Sequence, residues 1–153
     1  MNLIYLLSLM FFINCTSGTA AIASDDNSGK VKIQFEEVNH YPYSLTSKRF
    51  LVIDTQQKMD QVYSVIHQKN GGGGRMAPIP TVSKEETYLV FKPSVKSTND
   101  VTVKEMYLKG KTLYVNVKPF QSPDIAKSSR VSPNVLVKLL GKYNILDVKV
   151  NYQ

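Results

Sequence analysis

The sequence predicts an α+β domain in which a single antiparallel sheet of about six strands carries one covering helix. Three observations support this. The stretch Val101 to Lys118, VTVKEMYLKGKTLYVNVK, has the β-branched and aromatic pattern of a hairpin around a glycine. Met59, Val62, Tyr63 and Ile66 fall at i, i+3, i+4 and i+7, the stripe of one amphipathic helix. Short apolar or alternating runs near 31–35, 49–53, 87–92 and 145–152 supply the remaining strands. A chain of 153 residues with 42% hydrophobic content suits one such domain.

Taken in order, Leu3 to Ile13 is an uncharged apolar run, too short to span a bilayer comfortably and placed where a secretory leader belongs. Two processing routes compete. Phe12-Ile13-Asn14-Cys15 resembles a loose bacterial lipobox, which makes residues 1–15 a lipoprotein-type signal and Cys15 the lipidated residue. Ala21-Ile22-Ala23 is a site for ordinary signal peptidase, which makes the leader 1–23. The lipoprotein route is preferred, because a reactive cysteine directly ending a short apolar run is otherwise a rare placement. With a single cysteine, no intramolecular disulfide forms on either route. Residues 16–30 are small, polar and aperiodic, and are expected to form a tether. The domain is expected over 31–153.

Val31, Ile33 and Phe35 alternate with polar residues as a half-buried first strand, and His40-Tyr41-Pro42-Tyr43 is expected to turn the chain. A second strand at Arg49 to Ile53 leads to Asp54 or Thr55 as the cap of a helix from about Gln56 to Gln68. That helix is expected to cover the hairpin's apolar face. Asn70 to Pro80, with four consecutive glycines and two later prolines, reads as a mobile loop without the context of a phosphate-binding motif. Thr87 to Lys92 is apolar enough for the centre of the sheet, and Ser94 to Asp100 is a loop into the hairpin.

In the hairpin, Lys109-Gly110 is the expected two-residue turn. A bulge at Lys104-Glu105, opposite Tyr114, brings Val101, Val103, Met106 and Leu108 to the same face as Leu113, Val115 and Val117. The opposite face carries Thr102, Lys104 or Glu105, Tyr107, Thr112, Tyr114, Asn116 and Lys118. Pro119 to Val131 reads as an irregular connection along the sheet edge. Pro133 to Leu140 suits either a capped helix or a buried strand, and Ile145 to Tyr152 a last strand.

The net charge of +7 is uneven. Residues 1–100 hold 10 basic and 9 acidic groups, whereas residues 101–153 hold 9 and 3, so the hairpin half contributes +6. His40 and His67 are the only imidazoles, and both read as solvent or capping residues rather than a general base. No serine sits in a nucleophile elbow, and the acidic pairs Glu36-Glu37 and Glu85-Glu86 are adjacent, pointing to opposite strand faces rather than around a metal. The reading is therefore of a non-enzyme without cofactor, metal or nucleic-acid partner.

The order of elements adds one resemblance. A capped helix, SKEETYLVF at Ser83 to Phe91, the hairpin VTVKEMYLKGKTLYVNVK, a proline-bearing connection and PNVLVKLLGKYNILDVKV together resemble the C-terminal domain family of the protease-complex subunit PrcB, over about residues 48–150. Ser97-Thr98-Asn99-Asp100 stands where that family usually has a Thr-Gly-Gly-Tyr-like segment entering the hairpin. The resemblance implies a strand for Val135 to Leu140 and an exported domain that associates with or stabilises a protease assembly. The expected function is thus an envelope accessory module, anchored through Cys15 or soluble in the periplasm or medium, that binds a protein partner such as an exported protease. Tyr107, Tyr114, Lys104 and Lys118 would provide its contacts, with Thr98, Asn99 and Asp100 at the entry loop. Two alternatives stand beside it: a protease inhibitor wedging loops 70–80 and 97–100, and an envelope lipoprotein that binds a small molecule.

Overall fold

The computed structural model describes residues 29–70, 77–123 and 133–153. The expected leader, Cys15, nearly all of the expected 16–30 tether, the whole four-glycine run and the 124–132 part of the connection lie outside the described residues.

The described residues form eight strands and one helix in two four-stranded sheets, instead of the single six-stranded sheet expected. They are β1 (Lys30–Ile33), β2 (Phe35–Tyr41), β3 (Phe50–Ile53), α1 (Gln56–Lys69), β4 (Thr87–Phe91), β5 (Asp100–Lys109), β6 (Thr112–Phe120), β7 (Asn134–Leu139) and β8 (Asp147–Tyr152). The first sheet has the order β1-β5-β6-β8 and the second β2-β7-β4-β3. The expected first strand is in fact two. The chain leaves the first sheet at Gln34, whose carbonyl accepts the Leu140 N–H at 2.9 Å, and joins the second. Ile33 and Phe35 consequently face the same inter-sheet core from opposite sheets. Strand β2 then runs through His40 and Tyr41, where a turn was expected.

The hairpin's inner face packs on the second sheet, not on the helix. Val101, Val103, Met106, Leu113, Val115 and Val117 share one buried cluster with Leu89, Phe91, Val135, Val137 and Leu139. Helix α1 lies on the far side of the second sheet. Its Met59, Val62, Tyr63 and Ile66 meet Ile53, Tyr88, Val90 and Leu136. Strand β4 is buried at every position because it is covered on both faces, as its unbroken apolar run requires. Thr55 is the helix cap, its hydroxyl accepting the Lys58 N–H at 3.4 Å. The 133–140 ambiguity resolves as strand β7, which places alternate residues in the two cores.

The hairpin turn is Gly110-Lys111, one residue later than expected. Gly110 has φ +61° while Lys111 keeps a negative φ, the pattern of a turn with glycine in its first central position. Leu108 accordingly pairs with Leu113 and Met106 with Val115. The bulge is at Lys104, as expected, but it falls between the Val103–Val117 and Glu105–Asn116 pairs and not opposite Tyr114. Because both shifts preserve the two-residue period, the inner and outer faces keep their expected members. One strand departs from the antiparallel expectation: β8 runs parallel to β6, from Thr112–Asp147 to Val117–Tyr152.

Candidate functional site

The outer face of the first sheet is assembled from four strands in register. Across its middle, Lys32 pairs with Tyr107, Tyr107 with Tyr114, and Tyr114 with Lys149. The two tyrosine rings stack with centroids 4.9 Å apart and planes within 4°. Lys30 Nζ lies 5.1 Å from the Tyr107 ring centre, and Lys149 Nζ lies 5.7 Å from that of Tyr114. Strand order puts these ammonium groups on the outer sides of the pair. The result is a four-layer stack, lysine, tyrosine, tyrosine, lysine.

Each ring thus has one face on its partner and the other under a cation. A stacked pair contributes about 0.5–1.5 kcal/mol and an exposed cation–π contact about 0.5–1 kcal/mol, which holds long side chains in one arrangement before any partner arrives. With the ring faces occupied, the stack presents hydroxyl edges and ammonium groups outward. That geometry disfavours a stacking platform for nucleic-acid bases, which needs open ring faces. It suits a surface that offers carboxylates.

The charge of this face agrees. Lys30, Lys32, Lys109, Lys118 and Lys149 occupy outward register positions against Glu105 and Asp147. Asp147 is committed to Arg49 at 2.5 Å, and Glu105 stands 3.9 Å from Lys32 in an exposed pair of little energetic weight. Lys104 is exposed in the bulge and Lys118 sits opposite Thr102, four residues along β6 from Tyr114, roughly 13 Å away at 3.3 Å per residue. Those two lysines border the face without touching the tyrosine pair. Lys30 and Lys149, which do touch it, have no signal in the sequence, because their place depends on which strands flank the hairpin.

The entry loop belongs to a different structure. Asn99 is buried, its amide donating to the Ser122 carbonyl at 2.9 Å and its Oδ1 accepting the Ser122 N–H at 2.6 Å. Asp100 is buried, accepts its neighbour Val101 N–H at 2.8 Å, and approaches His40 Nδ1 at 2.6 Å. The Thr98 hydroxyl is also enclosed, without a hydrogen-bond partner among the described residues. Asn99 and Asp100 hold the loop in place, and none of the three polar groups is presented outward.

His40 is the second unexpected feature. Its Nε2 lies 2.7 Å from Glu37 Oε2, so that two carboxylates grip one imidazole. Residues three apart on a strand normally point to opposite faces, but β2 has a register shift between Glu37 and Asn39 that brings Glu37 and His40 to the same side. Glu37 also accepts the Val103 N–H at 3.1 Å, beside the bulge in β5. Irregularities in both sheets therefore build one clasp between them. Burial lowers the proton affinity of His40, but the hydrogen bonds to Glu37 and Asp100 outweigh it and raise the pKa above its ordinary 6.5. With both ring nitrogens engaged, the imidazole has no free lone pair with which to take a substrate proton. The carboxylates point at the ring rather than at a common vacant point, and among the described residues no cluster of histidine, cysteine and acids is placed to hold a metal.

No family model, curated protein or solved structure matches the chain.

Proposed function

We propose that this protein is an exported binding module whose outer sheet face docks an acidic protein surface, in the manner of an accessory subunit that associates with or stabilises a protease assembly. The observation that supports this reading most directly is the preassembled stack of Lys30, Tyr107, Tyr114 and Lys149. The stack holds the tyrosine hydroxyl edges and the ammonium groups in place in advance, which lowers the cost of binding. The surrounding lysines would steer the approach of an anionic partner. The wedge alternative has less support, since Asn99 and Asp100 of its second loop are turned inward.

The test uses a partner captured from envelope extract and confirmed with purified components. Combined Tyr107→Ala and Tyr114→Ala changes are expected to raise the dissociation rate roughly tenfold or more, while Lys118→Glu chiefly slows association. Added salt should reproduce only the second effect. A folded triple variant, checked by circular dichroism, that binds as tightly as the parent would remove this face from consideration.

The proposed address has its own measurement. Mass spectrometry of the native N-terminus is expected to find an acylated Cys15, and Cys15→Ala should release the domain from the membrane. A mature chain beginning at Ser24 would replace the anchor with a soluble exported form. Among the described residues no helix is long and apolar enough to cross a membrane.

A further inference from the structure

The two sheets are joined on one side by the chain passing from β1 to β2 at Gln34. On the other side the edge strands are β3 and β8, and among the described residues no strand links them. A cleft of about 220 Å³ opens there, with Arg49, Phe50, Phe91, Lys92, Val148 and Val150 in its walls. Two contacts bracket it. Arg49 Nη2 donates to Asp147 Oδ1 at 2.5 Å, and the Ser94 N–H donates to the Tyr152 hydroxyl oxygen at 2.6 Å. The cleft is separate from the lysine and tyrosine stack, and a ligand there is independent of the function proposed for that face.

Its walls have two characters. Phe50 and Phe91 form a cross-strand pair, and Val148 and Val150 face the same core from β8. Phe91 and Val148 are almost fully buried, so the half-buried Phe50 and Val150 supply the accessible apolar surface at this margin of the core. Lys92 brings a half-buried cation whose Nζ donates to the Ser44 hydroxyl oxygen at 2.8 Å and to the Thr46 carbonyl. Both acceptors are neutral, so neither offsets its charge. Arg49 meets Asp147 through one nitrogen and is otherwise two-thirds exposed, leaving further donors for a second anion.

We propose that this cleft binds a small amphipathic carboxylate, with a ring or short branched chain against Phe50 and Val150 and the carboxylate directed at Lys92 and Arg49. Size restricts the occupant. Drug-sized ligands fill roughly 300–1,000 Å³, whereas a cavity of about 150 Å³ is enough for benzene. One ring, or a side chain of similar volume, is therefore the appropriate scale. Charge makes the choice among such molecules: an anion pairs with Lys92, and an amine of equal shape adds repulsion.

Titration of the ¹⁵N-labelled protein with phenylacetate and with isovalerate tests this, with phenethylamine as the cationic control. At least one carboxylate is expected to give saturable shifts at Phe50, Val148 and Val150, and the amine none. Lys92→Met should weaken binding roughly tenfold or more, the loss expected when a charge-assisted hydrogen bond is removed. If that variant does not fold, Val150→Phe keeps the cation and fills the cleft, and it too should abolish the shifts. No saturable shift with either carboxylate, equal binding of the amine, or undiminished binding by folded Lys92→Met or Val150→Phe would overturn the proposal.

Discussion

Val115→Asp is expected to unfold the domain, whereas Asn116→Asp, one residue along, should cost less than about 1 kcal/mol. Val115 is fully buried between the sheets, in the cluster that includes Met106, Leu113 and Val137. A carboxylate there has no cation or donor positioned for it, and an unpaired buried charge costs several kcal/mol, comparable with the whole margin of a small domain. Asn116 faces outward. Its amide donates to Glu105 Oε2 at 3.3 Å and its Oδ1 accepts from Asn151 at 3.0 Å. Changing it to aspartate replaces one donor with a like charge beside Glu105, at a partly solvated site where repulsion is weak. Urea unfolding followed by circular dichroism distinguishes the two. Equal effects would reject the assignment of inner and outer faces.

That assignment is legible in the sequence because it depends on local periodicity. The phase change between Val103 and Met106 reveals the bulge, and a strand's two-residue period gives the correct faces even with the turn placed one residue early. The stripe from Met59 to Ile66 is legible for the same reason. What covers each face is not. Either the helix or the second sheet could bury aliphatic positions such as Leu113 and Val115 equally well by composition, and only the break at Gln34 decides that the second sheet does so. Nothing in the run from Val31 to Tyr41 marks that break, because Ile33 and Phe35 keep the alternation of one continuous strand. The parallel pairing of β8 is hidden similarly: its alternation is the same in either direction.

The candidate site divides along the same line. The sequence places Tyr107 and Tyr114 on one outer face, but its expected turn sets Tyr114 opposite the bulge; the turn at Gly110-Lys111 is what makes the two direct cross-strand partners, and the structure stacks them. Lys30 and Lys149 come from strands at opposite ends of the described chain and can be assigned only once the sheet order is known. Asn99 and Asp100 read as surface contacts, since short polar residues in a loop do not reveal whether their partners are water or buried backbone. His40 gives no sequence signal because Glu37 reaches it only through the irregularity in β2, and Asp100 only across the gap between the sheets.

The clasp around His40 should make stability depend on pH in a specific direction. Its folded pKa is raised above 6.5, so the folded protein holds the proton more tightly than the unfolded chain does. The resulting stabilisation is fully present below about pH 6.5 and is lost as pH rises through the higher, folded value. As pH rises above about 6.5 and through the folded value, the parent should therefore become easier to unfold in urea. His40→Gln removes the titrating group and should flatten that contribution. At about pH 6 the variant should be less stable by about 3 kcal/mol, because Asp100, 7% exposed, and Glu37, 30% exposed, then face each other without a cation. The difference from the parent should narrow as pH rises, since deprotonated His40 no longer neutralises the carboxylates. Parent stability that does not fall over this range, or an equal slope in His40→Gln, would mean that the imidazole does not fasten the two sheets through its charge.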